Sequence, residues 1–114
     1  MSMMKYTLLT LVFFFATLPA HAAIDFSEWP QAEDAREFAR LDDKLPAILS
    51  YFSKHDQAEL AQLYRQAFGS PAYETSRYGQ LEMHFIQAPN RVRVIISSQQ
   101  DWQQVDLMVL PPEN

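Results

Sequence analysis

His55, His84 and Glu82 are the side chains whose types and spacing come closest to chemistry in this chain. Glu82 stands two positions before His84 in "LEMHFI", and on an extended strand residues i and i+2 share a face. The two therefore form a candidate acid–base pair. General acid–base catalysis also needs a reacting group and donors for the charge that develops on it, and the flanking sequence supplies neither. The serines fall in no G-x-S-x-G elbow. His55 and His84, the two histidines beyond residue 22, show no HExxH spacing, and in a chain with no cysteine they fall short of the three or four protein ligands that zinc takes. No metal or cofactor is expected.

Other groupings read as structure. Asp42-Asp43 marks a solvated boundary between elements. Trp29 and Trp102 are a candidate sugar-stacking platform, although core or rim positions are commoner for isolated tryptophans. Gly69 and Gly79 are the only glycines. They follow a helical pattern instead of preceding one, and no G-K-[ST] accompanies them, so they make no phosphate loop.

The elements that must position these residues are read from periodicity. Pro30 suits a first helical turn, and Ala32, Ala35, Phe38 and Ala39 follow at helical spacing, which predicts a thin amphipathic helix. Leu45, Ile48, Leu49 and Phe52 stand at i, i+3, i+4 and i+7. They predict a second helix, with Pro46 in its first turn. Asp56 and Glu59 form a carboxylate capping box for a third, striped by Leu60, Leu63, Tyr64, Ala67 and Phe68. Gly69 in a left-handed cap and Pro71 close that helix.

Beyond Gly69 the period becomes two. Leu81, Met83 and Phe85, then Val92, Val94 and Ile96, then Val105, Leu107 and Val109 predict three strands. "YETSR" adds a possible fourth before a Tyr78-Gly79 turn. Facing Phe85 with Val92 and Ile96 with Val105 puts every core residue on one side. Four-residue loops, Gln87–Asn90 and Gln99–Trp102, then remain. The expected fold is α+β: two or three N-terminal helices packed on one face of a three- to four-stranded antiparallel β-meander.

That register sets His84 opposite Arg93 and Met108, Glu82 opposite Ile95 and Asp106, and Ile86 opposite Arg91, all on the outer face. Scattered apolar residues on a solvated face need no function. The face also reads as a protein-binding or homodimer surface, since aromatic, Met and Arg side chains favour such sites. Glu82, His84, Ile86, Arg91, Arg93, Ile95, Asp106 and Met108 are accordingly the protein-binding candidates.

The N-terminus predicts export. Lys5 precedes thirteen largely apolar residues, Tyr6 to Leu18, and Ala20-His21-Ala22 offers a signal-peptidase site. The run is shorter than the about twenty residues that span a bilayer, as expected of a cleavable signal. Residues 1–22 are the expected signal peptide and 23–114 one small domain with a flexible tail from 110, soluble in the periplasm. Nine Lys and Arg less Lys5 leave eight against fourteen Asp and Glu, a net charge of −6. An acidic domain repels phosphate backbones, so a nucleic-acid partner is not expected. Nor is stable membrane insertion after signal cleavage. Without disulfides the fold must rest on its apolar core.

"LAQLYRQAFGSPAYE", Leu60 to Glu74, resembles the helix–Gly-x-Pro–strand junction of the BamE/SmpA family, with Gly69 and Pro71 as the distinctive pair. The resemblance implies a small periplasm-facing α+β protein that assists outer-membrane barrel assembly. It departs from the family at the lipid-anchoring cysteine, which this chain lacks, and it carries over no functional residue. The function expected is binding of a protein partner, as an envelope accessory factor, inhibitor or immunity-type protein. The alternative is a small hydrolase or carbohydrate-binding module built around Glu82, His84 and Arg93.

Overall fold

The computed structural model describes residues 25–112; the expected signal peptide lies outside them. Six antiparallel strands form one sheet in the order β1-β2-β6-β5-β4-β3. In chain order they are β1 (Arg36–Leu41), β2 (Ala47–Ser53), β3 (Tyr73–Arg77), β4 (Gln80–Gln87), β5 (Asn90–Gln99) and β6 (Trp102–Leu110). One α-helix, α1 (Gln57–Phe68), lies between β2 and β3 in sequence, and a short 3-10 turn, Phe26–Glu28, precedes β1. No helix among the described residues is long and apolar enough to cross a membrane.

This corrects the expected fold class: one helix on a six-stranded sheet replaces two or three helices on a three- to four-stranded meander. The first predicted helix is instead a loop followed by β1, an edge strand whose six residues are all exposed. The second is β2, an interior strand between β1 and β6. Ala47, Leu49, Tyr51 and Ser53 of β2 are buried on the helix side, while Ile48 and Phe52 face the other way. A strand apolar on both faces loses its two-residue alternation. Leu45, Ile48, Leu49 and Phe52 thus matched the helical template by coincidence of spacing.

The third predicted helix is α1, closed at its start by the expected capping box. The Asp56 carboxylate accepts from the Glu59 N–H at 2.8 Å, and the Glu59 carboxylate accepts from the Asp56 N–H at 3.1 Å. Two orphan donors of the first turn are satisfied reciprocally. The Gln57 side chain donates to the carbonyls of Gly79 and Ile96, both at 3.0 Å, which pins the start of α1 to the sheet. Gly69 has φ +90 but ψ −163, so it leaves the helix in an extended conformation open to glycine alone, not the left-handed cap expected.

The strand pairing of the second half follows the predicted register: Phe85 faces Val92, Met83 faces Val94, and Ile96 faces Val105. The loops are tighter than predicted, because Gln87 pairs with Asn90 and Gln99 with Trp102. Each hairpin closes on two residues instead of four. "YETSR" is β3, and Tyr78-Gly79 joins it to β4 with φ +51 and +79, the positive angles a tight primed turn requires. Leu110, expected at the start of the tail, pairs with Arg91 at the end of β6.

The core lies between the sheet and a layer made of α1 and residues 25–35. Leu60, Ala61 and Tyr64 of α1 and Phe26 of the N-terminal segment are buried against the inner side chains of β2, β4, β5 and β6. Trp29 packs on Phe26 and Phe68, and Phe68 on Phe85. Tyr51 and Tyr64 share a buried hydroxyl–hydroxyl hydrogen bond of 2.8 Å, and the Tyr51 hydroxyl also accepts from the Ala32 N–H at 3.3 Å. Burial is the main cause that raises both phenols above their ordinary range, Tyr64 the more strongly. Asp34 ties the N-terminal segment to the end of β2, accepting from the Ser53 hydroxyl at 2.6 Å and the Lys54 N–H at 2.8 Å.

Candidate functional site

The face of the sheet opposite α1 carries all eight sequence candidates. Cross-strand rows run over the full width of the sheet: Leu41, Ile48, Met108, Arg93, His84 and Tyr73 form one. Ala39, Ser50, Asp106, Ile95, Glu82 and Thr75 form the next. Ile86 and Arg91 pair at the upper end beside Leu110. This face is mixed in polarity, and four of its large hydrophobic side chains are half exposed or more: Phe38 at 50%, Leu41 at 62%, Tyr73 at 57% and Ile86 at 61%.

Glu82, His84 and Arg93 do come together. The His84 ring nitrogen Nε2 lies 2.6 Å from a Glu82 carboxylate oxygen, and the Arg93 Nε lies 3.7 Å from the same oxygen. Tyr73 packs edge-on against the His84 ring. The Arg93 Nε–H is itself buried without an acceptor within hydrogen-bond distance. Glu82 thus serves as the shared partner in a small side-chain ladder. Asp106 is satisfied elsewhere, accepting from the Ser50 hydroxyl at 2.7 Å and from the Gln104 amide at 3.2 and 3.3 Å. The hollow beside this ladder, about 260 Å³, is lined by Tyr73, Thr75, Arg77, Gln80 and Glu82. Neither His84 nor Arg93 borders it.

Sequence reasoning missed the half of this face that β1 and β2 supply. Across the ladder Arg36 faces Phe52 and Glu37 faces Tyr51, but the next pair is Ala39 with Ser50. Phe38 is the extra residue of a β-bulge, and a bulge re-aims the side chains around it. Its ring stacks on Phe52 with 4.5 Å between centroids, and Phe52 meets Trp102 edge-on. Arg36, Glu37, Phe38, Phe52, Gln99, Trp102 and Gln104 line a groove of about 510 Å³. The Arg36 guanidinium lies 5.5 Å from the Trp102 ring centroid and the Lys54 ammonium 4.9 Å from it. The run "AILSYFS" carries no polar–apolar alternation that would mark it as a strand, since Ile48 and Phe52 are as apolar as Ala47, Leu49 and Tyr51.

The proposed pairing of the two tryptophans in a sugar platform does not survive. Trp29 belongs to the core on the helix side, and Trp102 to the opposite face beside Phe52. A groove of about 720 Å³ is a third location, between residues 31–33 and the exposed flank of α1. His55 stands on its rim with Glu59 at 3.4 Å, Asp34 at 3.8 Å and Glu33 at 4.0 Å. Among the described residues no cluster of His, Cys, Asp and Glu has the arrangement to hold a metal ion.

No family model matches this chain, and neither a curated protein nor a solved structure does. The likeness of Leu60 to Glu74 to the BamE/SmpA junction therefore rests on local helix-capping chemistry, in which a glycine followed by proline ends a helix.

Proposed function

We propose that this chain is an exported, periplasmic protein that works by binding another protein through the open face of its sheet. Its role would be that of an envelope accessory factor, inhibitor or immunity-type protein. The observation that carries the reading is the asymmetry of the sheet. One face is sealed by α1 and residues 25–35. The other presents Phe38, Leu41, Ile86 and Tyr73, each at least half exposed, among Arg, His and Glu ladders. Single exposed apolar residues are ordinary on a monomer; these four share one face, Phe38 and Leu41 on edge strand β1, Tyr73 on the opposite edge strand β3 and Ile86 near the end of β4, and with the Arg and Met side chains between them they suit a contact surface. Export rests on the leader read from Lys5 to Ala22.

The hydrolase reading has less support. Glu82, His84 and Arg93 are partnered with one another, and the hollow beside them leaves out two of the three. The test is affinity isolation from a cell-envelope extract after mild cross-linking, with the native chain and with Ile86→Glu. The proposal expects one defined protein recovered with the native chain and lost with the variant. Equal recovery by both, or recovery by neither, contradicts it.

A further inference from the structure

The groove at the β1 end of the open face has two cations beside one aromatic ring, Arg36 of its lining and Lys54 next to it. Beyond the leader the chain carries a surplus of acidic side chains, and Arg40, Arg65 and Arg93 are engaged with carboxylates of Glu37 and Asp42, Glu74 and Glu82 respectively. Arg36 and Lys54 have no carboxylate within ion-pair distance among the described residues. Both are instead held over one aromatic ring, that of Trp102. Glu37 is the one carboxylate of the groove's lining and it is engaged by Arg40, so an anion between Arg36 and Lys54 would relieve their mutual repulsion. Beside them Phe38, half exposed, stacks on Phe52 and offers an apolar wall.

We infer that this groove takes an acidic segment of a partner protein, one that presents an apolar side chain flanked by carboxylates. The apolar side chain packs against Phe38 and Phe52, and the carboxylates meet Arg36 and Lys54. A glycan fits less well: sugars stack on a bare aromatic face, and Trp102 already has cations over its ring. Strand addition along β1 is disfavoured by the bulge at Phe38, a device that spoils edge pairing. Recognition by side chains in the groove is what remains. The inference rests on the protein-binding reading above and names the chemistry of the partner.

The experiment is fluorescence anisotropy with three labelled heptapeptides, each with a central phenylalanine flanked on both sides by two glutamates, two glutamines or two lysines. Chitotetraose serves as a competing glycan. The glutamate peptide is expected to bind tightest, to weaken as salt is raised, and to lose about tenfold or more in affinity in the Arg36→Glu/Lys54→Glu variant. Phe38→Ala should also weaken it. Preference for the lysine peptide overturns the inference, as do affinity unchanged by charge reversal and displacement by chitotetraose. If the charge-reversed protein still captures the envelope partner while Ile86→Glu does not, the groove inference falls and the open-face reading stands. If neither substitution affects capture, both fall.

Discussion

Phe38 and Phe52 stack with 4.5 Å between ring centroids and 24° between planes, although Phe38 has no partner across the β1–β2 ladder. Phe38 shares the open face with Arg36 by strand alternation. The bulge keeps Ala39 on that face as well and so sends Arg40 to the helix side, where its guanidinium lies over Phe26. A six-residue edge strand thereby builds one wall of the groove and also screens the core at its rim. Because Phe38 is half exposed, Phe38→Ala should lower unfolding free energy by no more than about 1 kcal/mol. Chemical denaturation measures this. A loss of several kcal/mol would mean that the ring belongs to the core.

The buried tyrosine pair gives a sharper stability test. Tyr51→Phe leaves the Tyr64 hydroxyl and the Ala32 N–H without their partner, whereas Tyr64→Phe leaves the Tyr51 hydroxyl still bonded to Ala32. Unsatisfied buried polar groups cost about 1–3 kcal/mol, more than the net worth of a made hydrogen bond. Tyr51→Phe should therefore destabilise more than Tyr64→Phe, as read from denaturant midpoints. Equal losses would argue against the shared network.

The same pair sets an alkaline limit. Burial raises both phenols above the ordinary 10.0. At a pH above that value the unfolded chain gives up protons that the folded chain retains. The stability contribution is full below about pH 10 and is lost as the pH rises through the folded-state values. Melting temperature should fall steeply there, and the Tyr51→Phe/Tyr64→Phe variant should show a flatter fall.

At the acid end Asp34 has the opposite sign. The hydrogen bond from Ser53 is the largest cause that lowers its carboxyl below the ordinary 3.8; burial opposes it, and the Lys54 N–H assists. Its contribution is present above that ordinary value and is lost as the pH falls through the lower folded value. Asp34→Ala should destabilise by about 1 kcal/mol at neutral pH, with the gap to the native chain narrowing as the pH falls below the ordinary 3.8. A gap independent of pH would place the effect elsewhere.

Two backbone positions test the seam between α1 and the hairpins. A methyl group at Gly69 would meet nothing within 4 Å, yet its φ of +90 disfavours any side chain. Gly69→Ala should cost about 1–3 kcal/mol through conformation alone. Tyr78 holds φ +51 at 98% exposure, and Tyr78→Asn should stabilise the chain, because asparagine suits that turn position. Thermal melts of both variants check the pair of signs.

Much of this architecture is legible in the sequence, and the illegible part has a definite cause. In β4, β5 and β6 one face is buried and the other mixed, so Leu81, Met83, Phe85 and their counterparts alternate cleanly and fix the register. In α1 the capping box and the Leu60–Tyr64 stripe agree. β2 is different, because Ile48 and Phe52 are sheltered on the open face by β1 and by Trp102, which puts apolar residues on both sides. The stretch Ala32–Ala39 reads as helix because propensity is local, whereas the strand β1 that covers its second half is imposed by pairing with β2. The candidates on β4 to β6 were therefore placed on the open face from sequence. The Phe38–Phe52–Trp102 groove was not, since a bulge exists only relative to a partner strand.

The most direct test is a map of photo-crosslinks in living cells, with a photoreactive residue placed singly at Phe38, Tyr73 and Ile86 of the open face and at Ala58 and Gln62 of the helix flank. The account predicts a protein adduct of one reproducible mass from the three open-face positions and none from the helix flank. The same adduct from Ala58 or Gln62, or none from any of the three, would contradict it.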